Sequence, residues 1–213
     1  MITDKIKAII FDLDGTLLDS MPYWTGIGEK YLRGLGIEPS EDLDRVLKPF
    51  TFAQSAEYFK GHYGVSLSTE EMVGDMNRLI DGHYKHDIPL KSGAEQLIKR
   101  LSREGVKMCV ATAAEKGHAV SALTRLGVID YFSAIFICSE LDCNKTEPTV
   151  YRAALSHLGT KREETAVVED TLYALETAKK DGFLTVAVFD PYEEEQDRMR
   201  ELADVYLTEL SEL

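Results

Sequence analysis

The apolar residues of this chain fall into two regimes. Short unalternating runs rich in β-branched and aromatic side chains begin at Ile9-Ile10-Phe11 and recur at 106–112, 134–138, 165–169 and 184–189. A run without alternation is the mark of a strand buried on both faces, as in parallel sheets. Between the later runs, apolar positions recur at helical spacing over 93–103, 116–126, 148–158 and from the fourth run to 180. Alternation of this kind predicts an α/β fold, a Rossmann-like parallel sheet flanked by helices. Its ligands belong beyond the carboxyl ends of the strands.

The stretch from 17 to 86 breaks the alternation, because its spacing is helical throughout. Four helices are expected, near 22–35, 41–48, 52–63 and 69–86. Pro39-Ser40-Glu41-Asp42 is a helix start, and Ser68 with Glu71 forms a capping box. Pro89 then ends the run. The expected organisation is an α/β core of residues 1–16 and 89–213 carrying a helical insert at 17–88. Internal repeats and low-complexity segments are absent from the sequence, and the acidic patch 193–195 reads as a solvated turn or helix start.

Four strand ends carry candidate chemistry. The first reads Asp12-Leu13-Asp14-Gly15-Thr16. If the strand continues to Asp14, period two sends both carboxylates into one cleft, and Gly15 turns the chain away. Like charges at that spacing require a cation between them or a proton on one. A carboxylate can attack phosphorus and a protonated neighbour can protonate the leaving oxygen. At the next strand end, the Thr112 hydroxyl and the amides of the Ala113-Ala114 turn are candidates to cradle phosphate oxygens. Lys145, just before a helix opened by Pro148, carries a charge that suits both a carboxylate and a phosphate. Glu169-Asp170 supplies a second acidic pair, and two such pairs at strand ends are costly without a cation such as Mg²⁺.

Charge narrows the partners. A net charge of −13 and a pI near 4.8 argue against a nucleic-acid or anionic-membrane surface. An anionic substrate on so acidic a chain needs a metal ion, a placed lysine and oriented amides. Without a signal peptide's apolar region before the first strand, or any stretch long enough to span a bilayer, a cytoplasmic protein is expected, a monomer or weak dimer. Cys109, Cys138 and Cys143 show no metal-binding spacing and read as reduced thiols, Cys143 in a loop. His83 and His86 share a helix face but lack a third ligand, and Tyr23, Trp24, Phe50 and Phe52 form an aromatic cluster read first as packing.

The order Asp-x-Asp-Gly-Thr after an apolar strand resembles the first motif of the haloacid dehalogenase superfamily. The other strand ends resemble its later motifs, so the likeness runs from Phe11 to about Gly182. It implies that Asp12 is the nucleophile, that Asp14 is the general acid/base and lends its main-chain carbonyl to Mg²⁺, and that Asp12, Glu169 and Asp170 complete the metal site. Thr112, Ala113 and Lys145 are implied for the phosphate. The second Asp, missing from dehalogenases proper, points to phosphoryl chemistry. Insertion right after the first motif resembles the helical-cap class, which includes β-phosphoglucomutases and phosphoglycolate phosphatases.

Two local departures stand out. Thr146 replaces the proline that usually follows the motif lysine, which predicts a looser loop. Trp24 and Phe52 stand where the mutases carry a His and a phosphate-gripping Arg. The expected activity is therefore Mg²⁺-dependent hydrolysis of a small phosphorylated metabolite, of the sugar-phosphate kind, through an aspartyl-phosphate. A sugar phosphomutase and a non-catalytic binding protein on the same scaffold are the alternatives.

Overall fold

The computed structural model describes residues 6–213. The chain runs β1 (Ala8–Phe11), α1 (Met21–Trp24), α2 (Ile27–Gly34), α3 (Leu43–Leu47), α4 (Phe52–Tyr63), α5 (Thr69–His86), α6 (Ala94–Arg103) and β2 (Lys107–Thr112). It continues through α7 (Lys116–Arg125), β3 (Ile135–Ile137), α8 (Thr149–Leu158), β4 (Thr165–Glu169), α9 (Leu172–Lys180), β5 (Leu184–Val188), α10 (Gln196–Leu202) and β6 (Val205–Leu207).

The strands form one sheet in the order β3-β2-β1-β4-β5-β6, and every neighbouring pair is parallel. Each residue of β1 is fully buried because both faces of the sheet are covered. Ile9 and Phe11 pack with Leu97, Ile98 and Leu123 of α6 and α7, whereas Ala8 and Ile10 pack with Val150, Tyr151 and Ala154 of α8. Period two thus divides one strand between two cores, which is why its sequence lacks alternation. Burial of each large side chain here contributes about 2 kcal/mol before entropic costs. The chain winds outward from β1 to β3 and then crosses back to β4. That reversal opens a crevice beyond β1 and β4, where ligands of such sheets bind.

The insert leaves and returns at one place. Leu18 and Leu90 form an antiparallel bridge, flanked by Asp19 N–H to Pro89 O at 3.0 Å and Lys91 N–H to Leu17 O at 2.9 Å. Capping boxes open α4, from Thr51 and Gln54, and α5, from Ser68 and Glu71. Helix α5 joins two cores: Met72 and Met76 pack among the insert's own helices, Ile80 and Tyr84 in the main core.

Several boundaries differ from expectation. Strand β1 stops at Phe11 instead of reaching Asp14, which bridges Leu18 in a tight loop turned by Gly15 at φ 79°. The helix expected over 22–35 is broken into α1 and α2, because Thr25 is extended at ψ 127° and Gly26 adopts φ 74°, a left-handed conformation that glycine tolerates. The Gly26 N–H donates to Asp44 Oδ2 at 2.9 Å, which anchors the break. Helix α10 begins right after the acidic patch 193–195 that read as a solvated turn or helix start, although Glu193 is buried rather than solvated; Met199 is the one buried residue of α10, and β6, a three-residue edge strand, was not anticipated. No described helix is long and apolar enough to cross a membrane.

Candidate active site

The four candidate strand ends converge at the crevice. The Asp12 N–H donates to Val168 O at 3.0 Å and so carries the β1–β4 ladder one residue beyond the strand, which places Asp12 beside Glu169 and Asp170. Gly15 makes a close approach possible, since a Cβ there would lie 2.2 Å from Asp170 Oδ2. The Thr16 hydroxyl then donates to Asp170 Oδ1 at 3.1 Å and fixes the second acidic pair against the first loop.

Lys145 enters from the loop before α8. Its ammonium, 4% exposed, donates to Asp12 Oδ1 and, at 2.8 Å, to Glu169 Oε1. Tyr151 of α8 donates to the same Glu169 oxygen at 2.6 Å. Where the missing proline suggested a looser loop, the Thr146 N–H donates to Asn144 Oδ1 at 2.9 Å and its hydroxyl bonds the same oxygen. That local turn does what a proline ring would otherwise do.

Negative charge is in excess here. Burial opposes the charge on Lys145, but Asp12 and Glu169 outweigh it and hold the ammonium well above its usual pKa. Burial, then the charges of Asp12 and Glu169, push Asp170 well up. Burial likewise raises Glu169 against the pull of Lys145. Carboxyls that resist ionising in this way mark a place short of positive charge. Oxygens of Asp12, Glu169 and Asp170 lie within 4.8 Å of one another, all buried. An all-oxygen, all-carboxylate set fits a hard divalent cation. With Glu169 Oε1 engaged by Lys145 and Tyr151, its free donor toward a cation is Oε2.

Asp14 sits on the insert's side of the site. Tyr84 Oη donates to Asp14 Oδ1 at 2.6 Å, and Trp24 Nε1 donates to Tyr84 Oη at 2.8 Å. Burial pushes the Asp14 carboxyl up to about 6, the hydrogen bonds from Tyr84, Ser20 and Trp24 opposing it and the charge of Asp12 adding to it. Two carboxylates at one strand end therefore sit in different settings: Asp12 is paired with an ammonium and Asp14 with a neutral phenol.

Thr112 is buried at the end of β2, with Oγ1 accepting the Ala114 N–H at 3.0 Å, and Ala113 is exposed at the tip of that turn. The other candidates remain apart from the site. His83 Nδ1 donates to Asp87 Oδ2 at 2.8 Å and the ring packs on Tyr23, while His86 is exposed. Cys143 is buried rather than open in its loop, and burial raises its thiol pKa.

With this geometry in place, comparison with known proteins identifies the group. Residues 9–188 match the haloacid dehalogenase-like hydrolase family, and all the candidate residues lie inside that span. The chain belongs to this family. Validoxylamine A 7'-phosphate phosphatase of Streptomyces hygroscopicus subsp. limoneus is 27% identical over 97% of this chain and 95% of its own. Phosphoglycolate phosphatase of Rhodospirillum rubrum is 29% identical over 89% and 82%, and β-phosphoglucomutase of Bacillus subtilis 28% identical over 86% and 83%. Among solved structures, phosphate-bound CbbY of Rhodobacter sphaeroides superposes with a TM-score of 0.84 over 98% of this chain and 96% of that one, at 23% identity, which shows the fold.

In this family member, three contacts around the site escaped the sequence reading. Tyr84 reaches Asp14 from a position distant in the chain, and Trp24 backs it. Lys91 Nζ donates to Gly15 O at 2.5 Å, Phe189 O at 2.8 Å and Asp190 Oδ2 at 2.7 Å, which pins the first loop from behind. Lys48, between α3 and α4, pairs with the buried Glu193 at 3.0 Å and thereby ties the insert to the core. Lys48 and Lys91 were visible only as ordinary lysines, since nothing local distinguishes a solvated ammonium from one that meets a carboxylate far along the chain.

Proposed function

We propose that this protein is a Mg²⁺-dependent phosphomonoester hydrolase that acts on a small phosphorylated metabolite of the sugar-phosphate kind through an aspartyl-phosphate on Asp12. The observation that carries the reading is the placement of two carboxyls with distinct partners, Asp12 on Lys145 and Asp14 on Tyr84, at the mouth of one crevice. Named phosphatases among its relatives support it.

In this reading Asp12 attacks phosphorus in line, the bond to the leaving alcohol breaks, and Asp14 gives its proton to that oxygen. Asp14, now ionised, takes a proton from water, whose oxygen attacks the aspartyl-phosphate and returns Asp12 as a carboxylate. Lys145 holds Asp12 in place and, with Thr112 and the Ala113 amide, favours the phosphoryl oxygens. Asp12, Asp170 and the Asp14 carbonyl, with Glu169 beside them, would hold Mg²⁺, which when bound supplies neutralising charge to the phosphoryl group. Helices α1–α5 serve as a cap that excludes water during the attack.

Hydrolysis is favoured over a mutase reaction by the charge of the cap. A mutase grips a second phosphate, yet none of the cap's described Lys or Arg residues is buried, and all but Lys30 pair with a carboxylate. Where a mutase would place polar groups, the cap has Trp24, which backs the Tyr84–Asp14 hydrogen bond, packed on Phe52 with ring centroids 5.2 Å apart. Release of phosphate from p-nitrophenyl phosphate and a panel of sugar phosphates, with Mg²⁺ and with EDTA, tests the reading. The expected result is metal-dependent turnover that disappears in Asp12→Asn. No release by folded protein that still binds Mg²⁺ would overturn it.

A further inference from the structure

The chain Trp24–Tyr84–Asp14 has only one direction. An indole N–H donates and never accepts, so in the 2.8 Å contact the Tyr84 oxygen is the acceptor. The phenol proton is then directed at its other neighbour, Asp14 Oδ1, at 2.6 Å. Oδ1 is thus an acceptor whether or not Asp14 is protonated, and any proton on this carboxyl sits on Oδ2. The Ser20 hydroxyl, which also reaches Asp14, both donates and accepts, so it adapts to either state. Trp24 cannot reverse.

The three residues come from different places. Trp24 ends α1, Tyr84 lies in the last turn of α5, and Asp14 belongs to the loop after β1. Tyr84 is fully buried, and its ring stacks on His118 of α7 with centroids 4.6 Å apart and planes 6° from parallel. Its own carbonyl accepts from Arg125 Nε at 3.2 Å. A phenol held on ring, hydroxyl and backbone is poised to orient a neighbour rather than to fill space.

We propose that Tyr84 is a positioning residue for the reaction, holding the Asp14 carboxyl so that Oδ2 is the oxygen that delivers the proton, with Trp24 setting the direction of the hydrogen bond. The inference rests on the hydrolase reading. In the phosphorylation step the leaving oxygen takes the Oδ2 proton as its bond to phosphorus breaks and the Asp12–phosphorus bond forms; Tyr84 keeps its own proton throughout. The cap contributes both donors, so the acid is correctly aimed only when the cap is seated.

The test compares leaving groups. The parameter kcat/KM reports steps up to the first irreversible one, here departure of the leaving group. A sugar alkoxide needs a proton to leave, whereas p-nitrophenolate leaves without one. Tyr84→Phe keeps the ring and its stacking, and Trp24→Phe removes the indole donor while keeping a smaller aromatic ring against Phe52 and Tyr84. We expect Tyr84→Phe to lose about tenfold or more in kcat/KM on the best sugar phosphate, within the range of general-acid effects, and less than about threefold on p-nitrophenyl phosphate. Trp24→Phe should show the same selectivity more weakly, and Asp14→Asn should show it most strongly. Equal losses on both substrates, or no loss on either, in variants with wild-type circular dichroism and melting temperature, would overturn the positioning role while leaving the hydrolase intact. Absence of turnover by the wild type on every phosphate would instead overturn the hydrolase reading and this inference with it.

Discussion

Gly15 and Asp170 leave no room between them for a side chain, since a Cβ on Gly15 would fall 2.2 Å from Asp170 Oδ2. The same glycine has φ 79°, so an added methyl is resisted by its own backbone as well. Gly15→Ala should destabilise the fold by about 1–2 kcal/mol from the backbone conformation alone. Displacing Asp170 should also lower kcat/KM by about 100-fold or more, the usual penalty for misplacing a reacting group. Urea unfolding and steady-state kinetics measure the two effects separately.

Lys145 is a single ammonium shared by Asp12 and Glu169 in a site where it is itself buried. Its replacement by Met removes the compensation of two carboxylates, and breaking a buried pair in this way costs about 3–5 kcal/mol. Magnesium should raise the melting temperature of Lys145→Met by more than it raises that of the wild type, because the ion restores charge where the ammonium was lost. An equal rise in both proteins would place the ion away from Asp12.

Asp14 links pH to stability in a definite direction. Its folded pKa is raised from 3.8 to about 6, so its contribution to stability is complete below 3.8 and is lost as pH rises through about 6. The loss amounts to about 3 kcal/mol at most, since the residue is only partly shielded. Asp14→Asn escapes it. In EDTA, the variant should therefore gain stability over the wild type as pH rises from 4 to 7 and hold a constant advantage above that, as read by denaturant melts across this range. A difference that is flat with pH would show that Asp14 titrates alike in the folded and unfolded chains.

Lys48 Nζ lies 3.0 Å from Glu193 Oε2, and that oxygen also accepts the Leu172 N–H at 3.2 Å at the start of α9. Tyr173, the next residue of α9, donates to Lys48 O at 3.3 Å. The insert is therefore fastened to the helix that follows Asp170. Lys48→Ala should cost less than about 1 kcal/mol of stability, since the lysine is partly solvated. KM for the best substrate should nevertheless rise severalfold, because the cap seats less often. Unchanged KM and kcat would show that this pair does not govern closure.

The sheet was legible because four of its strands, β1, β2, β4 and β5, are buried on both faces and must be written as continuous apolar runs, and because edge strand β3, though half-buried at Ile135 and Phe136, lies in the apolar run 134–138. Strand β6, an edge strand of the same length and burial as β3, was not, since its three apolar residues are closed in by Asp204 and Thr208 and make no longer run. The division of 22–35 at Thr25-Gly26 was hidden for a related reason: helical spacing persists on both sides, and only the tertiary bond from Gly26 to Asp44 selects the left-handed turn. At the site, Asp12, Asp14, Lys145, Glu169 and Asp170 announced themselves by residue type at strand ends. Tyr84 gave no such signal, because a tyrosine near the end of an amphipathic helix has the same pattern whether its hydroxyl meets water or a carboxylate.

The strand order also constrains how the protein comes into being. β1 is made first among the strands but lies between β2 and β4, so its second edge stays unpaired until Thr165–Glu169 has been synthesised. Four residues that end fully buried must wait in the meantime, and pairing across so long a stretch of chain is slow. The growing polypeptide thus carries an open, sticky edge through most of its synthesis, and a chaperone that shields short apolar segments would have its clearest target at Ala8–Phe11, immediately before Asp12.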